Sequence, residues 1–178
     1  KTSDTDVGQI LVEGLTLGSY KFNQYKESHD DNSKLESIKI QCCDPENITS
    51  MKAIKTGIMR ADGTNLARNL GNMPANDLKP KDLASTAKNI AKQHKIDCTV
   101  LEEKQMKKLG MEMLLGVSRG SREPAKLILM EYFHQKAEQT VALVGKGVTF
   151  DSGGISLKPG KNMDEMKFDM CGAAAVLG

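Results

Sequence analysis

The stretch TVALVGKGVTFDSGG, residues 140–154, decides the fold class of this chain. Its first five residues, Thr140–Val144, form a short apolar run that is typical of a buried strand. Closely spaced glycines follow, and they carry two charged residues between them, Lys146 and Asp151. In open α/β sheets, functional groups collect in the loops beyond the carboxyl ends of the strands. The sequence therefore predicts that the functional site begins directly after this strand.

Outward from this stretch, strand-like and helix-like segments alternate along the chain. Alternating or continuous apolar residues predict further strands at 35–42, 96–101 and 125–133. Apolar residues spaced three and four apart predict helices at 4–19, 46–70, 80–94 and 102–109, with another beginning at Ala173. Alternation of this kind predicts an α/β layered fold with a mostly parallel sheet.

Composition and charge exclude several classes of protein. The 178 residues carry 25 Lys+Arg and 23 Asp+Glu, a net charge of +2 without the clustered basic surface that nucleic-acid binding requires. No run approaches the roughly 18 apolar residues of a membrane span. The 4 cysteines lack C-x-x-C spacing and the 3 histidines are isolated, which argues against a disulfide scaffold, a zinc finger or an H-E-x-x-H metallopeptidase. We expect free thiols in a reducing cytosol.

Four charged residues in and after the glycine-rich segment are candidate functional groups. Lys146 and Asp151 lie among glycines just past the predicted strand, so both head groups can reach one small volume. Lys158 follows before Pro159, and Asp169 lies at the predicted start of the alanine-rich helix. Aspartate oxygens suit Mn²⁺, Mg²⁺ or Zn²⁺. A lysine can join such a site in its neutral form, because a dication lowers the lysine pKa.

Structural interpretations of the same residues stay open. Lys146 fits a surface lysine, Asp169 a helix N-terminal charge, and Asp151 the acceptor of an Asx turn. Several charges in one glycine-lined pocket nevertheless favour function, because burying unpaired charge is expensive. A serine hydrolase using Ser152 is a weaker hypothesis, since Phe150 stands where the G-x-S-x-G elbow needs a glycine.

Residues 144–172 resemble the core of the leucyl (cytosol) aminopeptidase family, G-K-G-[IV]-T-F-D-[ST]-G-G-x-x-x-K-P. The segments NLARNL at 65–70 and NMPAN at 72–76 are similar to the opening of the family's catalytic domain. The resemblance implies that residues 1–44 end an N-terminal α/β domain. Residues 45–178 would then form a linker helix and the first part of a three-layer α/β/α catalytic domain, whose mostly parallel, mixed central sheet is present only in part.

The resemblance also implies an activity, namely release of N-terminal amino acids, Leu preferred, from peptides by metal-activated water. Lys146, Asp151 and Asp169 would be ligands of two divalent ions (Mn²⁺, Zn²⁺ or Mg²⁺), with Asp151 bridging them. Lys158 would be the catalytic lysine and would also bind substrate, and Met166 would line the pocket for the first side chain of the peptide. A cytoplasmic homohexamer acting on peptides is expected from the family.

One departure from the family pattern shapes the functional expectation. The second family motif, N-T-D-A-E-G-R-L, carries the remaining Asp and Glu ligands and a catalytic arginine, and it does not occur in these 178 residues. The first residue is Lys1 rather than Met, and the alanine-rich helix is unfinished at Gly178. We therefore expect an excerpt of a longer enzyme that is inactive alone. The alternative is a short non-catalytic binding or assembly module on the same scaffold.

Overall fold

The computed structural model describes residues 4–27, 37, 39 and 48–178. Contacts divide the chain into two compact units, residues 1–69 with 178, and residues 70–177. Within the described residues, the helices and strands are α1 (Asp4–Gly18), α2 (Ile48–Asn72), α3 (Pro80–His94), β1 (Asp97–Glu102), α4 (Glu103–Lys108), α5 (Glu112–Ser118), β2 (Lys126–Glu131), a 3₁₀ helix (Met163–Met170) and α6 (Cys171–Leu177). The α/β class is confirmed. The domain boundary at 44/45 stays a prediction, and the predicted strand 35–42 lies almost entirely outside the described residues.

In the first unit, α1 and α2 pack closely because a glycine lies at their contact. A Cβ added to Gly57 of α2 would lie 2.7 Å from the backbone oxygen of Gln9, in α1. Near the end of the contact, the Arg68 guanidinium donates a hydrogen bond to the Leu17 carbonyl at 3.0 Å. The glycine inside α2, a poor helix former in isolation, is therefore explained by this close helix–helix approach.

In the second unit, α3 forms at the predicted residues because local signals mark both of its ends. Pro80 occupies the first turn, where its missing N–H costs nothing, and the Lys79 amide donates to the Asp82 carboxylate at 2.9 Å. Lys95 ends the helix in the left-handed conformation, at φ 56°. The buried face consists of Leu83, Ala84, Ala87 and Ala91.

The sheet in the described part of the chain is one antiparallel pair of strands. β1 and β2 run in register from Asp97 opposite Glu131 to Glu102 opposite Lys126. The two strands were expected at 96–101 and 125–133, so both are confirmed with small shifts at their ends. Met106 of α4, which follows β1 directly, is fully buried.

The strand predicted at Thr140–Val144 does not form, and that expectation is wrong. The segment is not paired with another strand, and its apolar side chains are exposed, Val144 at 92%. A strand needs a neighbour to satisfy its backbone hydrogen bonds, and this segment pairs with neither of the described strands. The expectation of free thiols is confirmed for the two described cysteines, Cys98 and Cys171. No helix in the described ranges combines the length and apolar character needed to cross a membrane.

Candidate metal centre

The loop that carries Lys146 lies directly against the start of α6. A Cβ on Gly145 would lie 2.5 Å from the carbonyl oxygen of Gly172, and a Cβ on Gly172 would lie 2.9 Å from the backbone nitrogen of Lys146. The Ala173 amide donates a hydrogen bond to the Lys146 carbonyl at 2.8 Å. Two backbones approach this closely only where side chains are absent. The two glycines thus fix the origin of the Lys146 side chain.

The Lys146 side chain crosses to Asp169, and its Nζ lies 2.5 Å from Asp169 Oδ1. Asp169 occupies the last turn of the 3₁₀ helix, two residues before α6 begins, rather than the start of α6 as expected. Its side chain is 17% exposed, whereas that of Lys146 is 59% exposed. The second oxygen, Oδ2, is buried without a hydrogen-bond partner among the described residues. A buried carboxylate oxygen without a partner is costly, so a cationic partner would stabilise this atom.

Asp151 is held by its neighbours at both carboxylate oxygens. Oδ1 accepts a hydrogen bond from the Gly153 amide at 2.9 Å, and Oδ2 lies 3.2 Å from the Nζ of Lys158. The Gly153 hydrogen bond, followed by the hydrogen bond and charge of Lys158 and the charge of Lys146, lowers the pKa of Asp151. The charge of Lys146 makes the smallest contribution to this lowering of the pKa. The structure thus forms two ion pairs, Lys158–Asp151 and Lys146–Asp169, and a single site made of all four residues stays a prediction.

Lys158 returns to Asp151 through a tight turn. Its amide donates to the Ser152 carbonyl at 2.9 Å, and the turn contains Gly153 and Gly154 at φ +90° and +67°. The Asx-turn interpretation of Asp151 also holds, since the Gly153 bond is of that kind. The Ser152 hydroxyl accepts a hydrogen bond from the Gly154 amide at 3.4 Å, and within the described residues it makes none to a histidine. The arrangement thus gives no support to a serine nucleophile.

These residues fit part of a divalent-metal site. No group of three or more His, Cys, Asp and Glu residues that could hold a metal ion exists among the described residues. The donors available are the carboxylates of Asp151 and Asp169 and the amine of Lys146. Carboxylate oxygens suit Mn²⁺, Mg²⁺ and Zn²⁺, and the unpartnered Oδ2 of Asp169 is suited to a cation. The set is too small to complete a shell, so further ligands are needed.

Met166 lies on the same 3₁₀ helix as Asp169, three residues earlier, and is half-buried. Side chains three residues apart eclipse one another in a 3₁₀ helix, so Met166 and Asp169 share a face. No hydrogen bond or charge ties Met166 to the site, and its role stays a prediction. The density of glycines after residue 144 indicated this region from the sequence. The close backbone approaches at Gly145, Gly153 and Gly172 became visible only in the structure.

Comparisons with known proteins identify the family that this chain resembles. The profile of the cytosol aminopeptidase family, catalytic domain, matches residues 65–178. Probable cytosol aminopeptidases of Alkaliphilus oremlandii (strain OhILAs) and of Vesicomyosocius okutanii subsp. Calyptogena okutanii (strain HA) are 49% and 48% identical over 97% of this chain. The chain spans 35% of the length of each of these relatives.

Solved structures of similar fold were also found. The bottromycin maturation enzyme BotP in complex with Mn superposes with a TM-score of 0.84 at 37% identity, over 97% of this chain and 35% of that one. A second structure of BotP gives a TM-score of 0.80 at 36% identity, over 97% of this chain and 34% of that one. The profile covers well over half of the chain, including all four charged residues of the site. This chain belongs to the cytosol aminopeptidase family.

Proposed function

We propose that the whole protein is a di-metal aminopeptidase that releases N-terminal amino acids, Leu preferred, from peptides. The observation that carries the proposal is the buried oxygen of Asp169 left without a partner beside the Lys146–Asp169 ion pair, and the Lys158–Asp151 pair supports it. The names of the relatives support the activity, and the Mn in the BotP structure supports a metal requirement. The 178-residue chain, with its incomplete ligand set, would be inactive alone.

Asp151, Asp169 and Lys146 would hold the metal ions, either Mn²⁺ or Zn²⁺, with Mg²⁺ as a further candidate. When bound, two such ions supply a water activated near neutral pH and polarise the scissile carbonyl. Asp151 suits this role because its lowered pKa keeps the carboxylate ionised down to acidic pH. Lys146 is free to reorient toward a cation, since its side chain is 59% exposed.

Lys158 would stabilise the negative charge that develops on the carbonyl oxygen during attack. Its ammonium is held 3.2 Å from Asp151 Oδ2 and its side chain is 39% exposed, so it can reach a bound peptide. A fixed cation of this kind acts by preorganised electrostatics, and loss of one such donor typically costs about 100- to 1,000-fold in turnover. Lys158 would therefore serve as both a catalytic and a substrate-binding residue.

Met166 would line the pocket for the first side chain of the peptide. Its support is positional, because it shares a face of the 3₁₀ helix with Asp169. Truncation by Met166→Ala is expected to raise KM for Leu-p-nitroanilide by about tenfold, a cost typical of lost apolar contacts, and to raise it less for Ala-p-nitroanilide. An equal rise for both substrates would contradict a side-chain pocket at Met166.

The decisive test is metal analysis of the purified whole protein combined with an aminopeptidase assay, with and without added Mn²⁺. We expect metal-dependent release of p-nitroaniline from Leu-p-nitroanilide and no activity from the 178-residue chain. A whole protein that binds two divalent ions but cleaves no N-terminally free substrate would refute the activity. A whole protein that neither binds metal nor cleaves would favour the alternative, a non-catalytic binding or assembly module.

Assembly and location are proposed from the family alone. We propose a homohexamer in the cytoplasm. Light scattering on the whole protein after size-exclusion chromatography gives the mass of the assembly, and a monomer or dimer at working concentration would contradict the hexamer. Cell fractionation followed by immunoblotting tests the location, and recovery with the membrane fraction would contradict it.

A further inference from the structure

Two consecutive glycines in the turn between Asp151 and Lys158 have similar backbones but different surroundings. Gly153 and Gly154 both have positive φ, at +90° and +67°. A Cβ on Gly153 would lie 2.3 Å from the Ser156 carbonyl oxygen and 2.9 Å from the backbone nitrogen of Lys158. A Cβ on Gly154 would meet nothing within 4 Å. Backbone handedness thus favours glycine at both positions, whereas close approach requires it only at Gly153.

Gly153 also contacts the metal-site carboxylate directly. Its amide donates to Asp151 Oδ1 at 2.9 Å, which leaves Oδ2 facing the Lys158 ammonium at 3.2 Å. The bare Cα of Gly153 leaves space for the chain to return, so that the Lys158 amide reaches the Ser152 carbonyl at 2.9 Å. Gly153 therefore orients Asp151 through its backbone N–H group. Because Gly153 has no side chain, it also leaves space for the backbone of Lys158.

We propose that Gly153 is a positioning residue for the reaction, acting through Asp151 and Lys158. The inference rests on the proposed function, because it assigns Gly153 to the same site. To reach ordinary contact at 3.4 Å, an added Cβ must displace the Ser156 carbonyl by about 1 Å from its 2.3 Å approach. The same Cβ would lie 2.9 Å from the Lys158 backbone nitrogen, so the start of the Lys158 side chain is expected to shift as well. A displacement of about 1 Å at a reacting group can cost about 100-fold in rate.

The experiment compares Gly153→Ala with its matched control, Gly154→Ala, in the whole protein. Both variants place alanine at positive φ, so both are expected to lower the melting temperature, and Gly153→Ala is expected to lower it more because its Cβ also meets backbone atoms. Gly153→Ala is expected to lower kcat by about 100-fold. It is also expected to weaken Mn²⁺ binding, measured from the electron paramagnetic resonance signal of free Mn²⁺, by about tenfold or more. Gly154→Ala should change neither quantity by more than about threefold.

Equal losses in kcat and Mn²⁺ affinity for the two variants would overturn the proposal, since they would reflect backbone strain alone. Unchanged values for Gly153→Ala would overturn it as well. Gly153→Asn separates the two causes further, because asparagine tolerates positive φ better than alanine but carries the same Cβ. We expect no rescue by Gly153→Asn, and rescue would contradict the close-approach argument.

A measurement on the unaltered protein keeps the test independent of whether the variants fold. Hydrogen exchange is expected to be slower at the Gly153 amide, bonded to Asp151 at 2.9 Å, than at the Gly154 amide, whose partner lies at 3.4 Å. Equal, fast exchange at both amides would overturn the positioning role. Failure of the proposed function has a different signature, namely an unaltered protein without metal-dependent cleavage. Mn²⁺ affinity lost only in Gly153→Ala would still support positioning in that case.

Discussion

Replacing Asp169 by asparagine separates metal binding from folding at this site. The substitution conserves shape and one oxygen but removes the negative charge that faces Lys146 at 2.5 Å. It also alters the buried oxygen, Oδ2, that has no partner among the described residues. If Asp169 exists to bind a cation, Asp169→Asn should affect metal affinity far more than it affects the stability of the metal-free fold.

The two expected magnitudes differ widely. The Lys146 side chain is 59% exposed, so its ion pair with Asp169 is screened by solvent and contributes about 0–1 kcal/mol to the free energy of unfolding. Substitution of a residue that only supports a metal ligand typically costs about 10- to 100-fold in affinity. Loss of a ligand carboxylate should exceed that range. We therefore expect a fall in Mn²⁺ affinity of about 100-fold or more, with a change in stability of about 1 kcal/mol or less.

Calorimetric titration with Mn²⁺ gives the affinity, and urea unfolding in the presence of EDTA gives the stability of the metal-free protein. Asp164→Asn is the matched control, because Asp164 lies on the same 3₁₀ helix, is exposed, and loses the same charge. Control and unaltered protein should bind Mn²⁺ alike. The reasoning is refuted if Asp169→Asn binds Mn²⁺ as the control does, or if it lowers metal-free stability by more than about 3 kcal/mol, which would indicate a structural role.

Three further predictions address catalysis, pH dependence and the core. Lys158→Ala should lower turnover of Leu-p-nitroanilide by about 100- to 1,000-fold with metal content intact, and comparable metal loss would identify Lys158 as a ligand instead. Glu123, through its hydrogen bond and its charge, raises the pKa of Lys79 above the ordinary value of 10.5. The Lys79–Glu123 pair therefore stabilises the fold below pH 10.5, and this stabilisation is lost as the pH rises through the pKa of Lys79 in the folded protein. Glu123→Gln should remove this alkaline loss from urea unfolding midpoints measured between about pH 9 and 12. Met106→Ala should cost about 2–5 kcal/mol of unfolding free energy because Met106 is 0% exposed, whereas Met113→Ala, at 91% exposure, should stay within about 0.5 kcal/mol.

Elements with local signals were predictable from the sequence, and elements that depend on distant partners were not. Helix α3 occupies 80–94 as predicted, because Pro80 and an apolar stripe define it without reference to the rest of the chain. The run Thr140–Val144 has equally clear β-propensity, yet it forms no strand, because propensity is realised only beside a paired neighbour. Helix α5 (Glu112–Ser118) was not predicted, since seven residues around Gly116 carry little helical pattern.

At the site, the sequence identified the charged residues but not the backbone that arranges them. Lys146, Asp151 and Lys158 were visible because charge among glycines is unusual after an apolar run. Asp169 was found but placed on the wrong helix, since the boundary between the 3₁₀ helix and α6 leaves no mark in the segment MDEMKFDM. Which glycines permit close approach depends on atoms distant in sequence, such as Gly172 opposite Gly145, and only the structure supplies them.

The charges of the predicted site balance one another in the metal-free fold. Asp151 and Asp169 alone would repel each other, and a buried, unpaired carboxylate would oppose folding. Each instead faces a lysine ammonium, at 3.2 Å and 2.5 Å, so the four residues sum to no net charge. The Lys146 side chain is 59% exposed and Asp169 only 17%, so in this pair the ammonium can move away more easily than the carboxylate. The lysines thus balance the aspartates in the metal-free fold, and under the proposed function a dication would take over that balance.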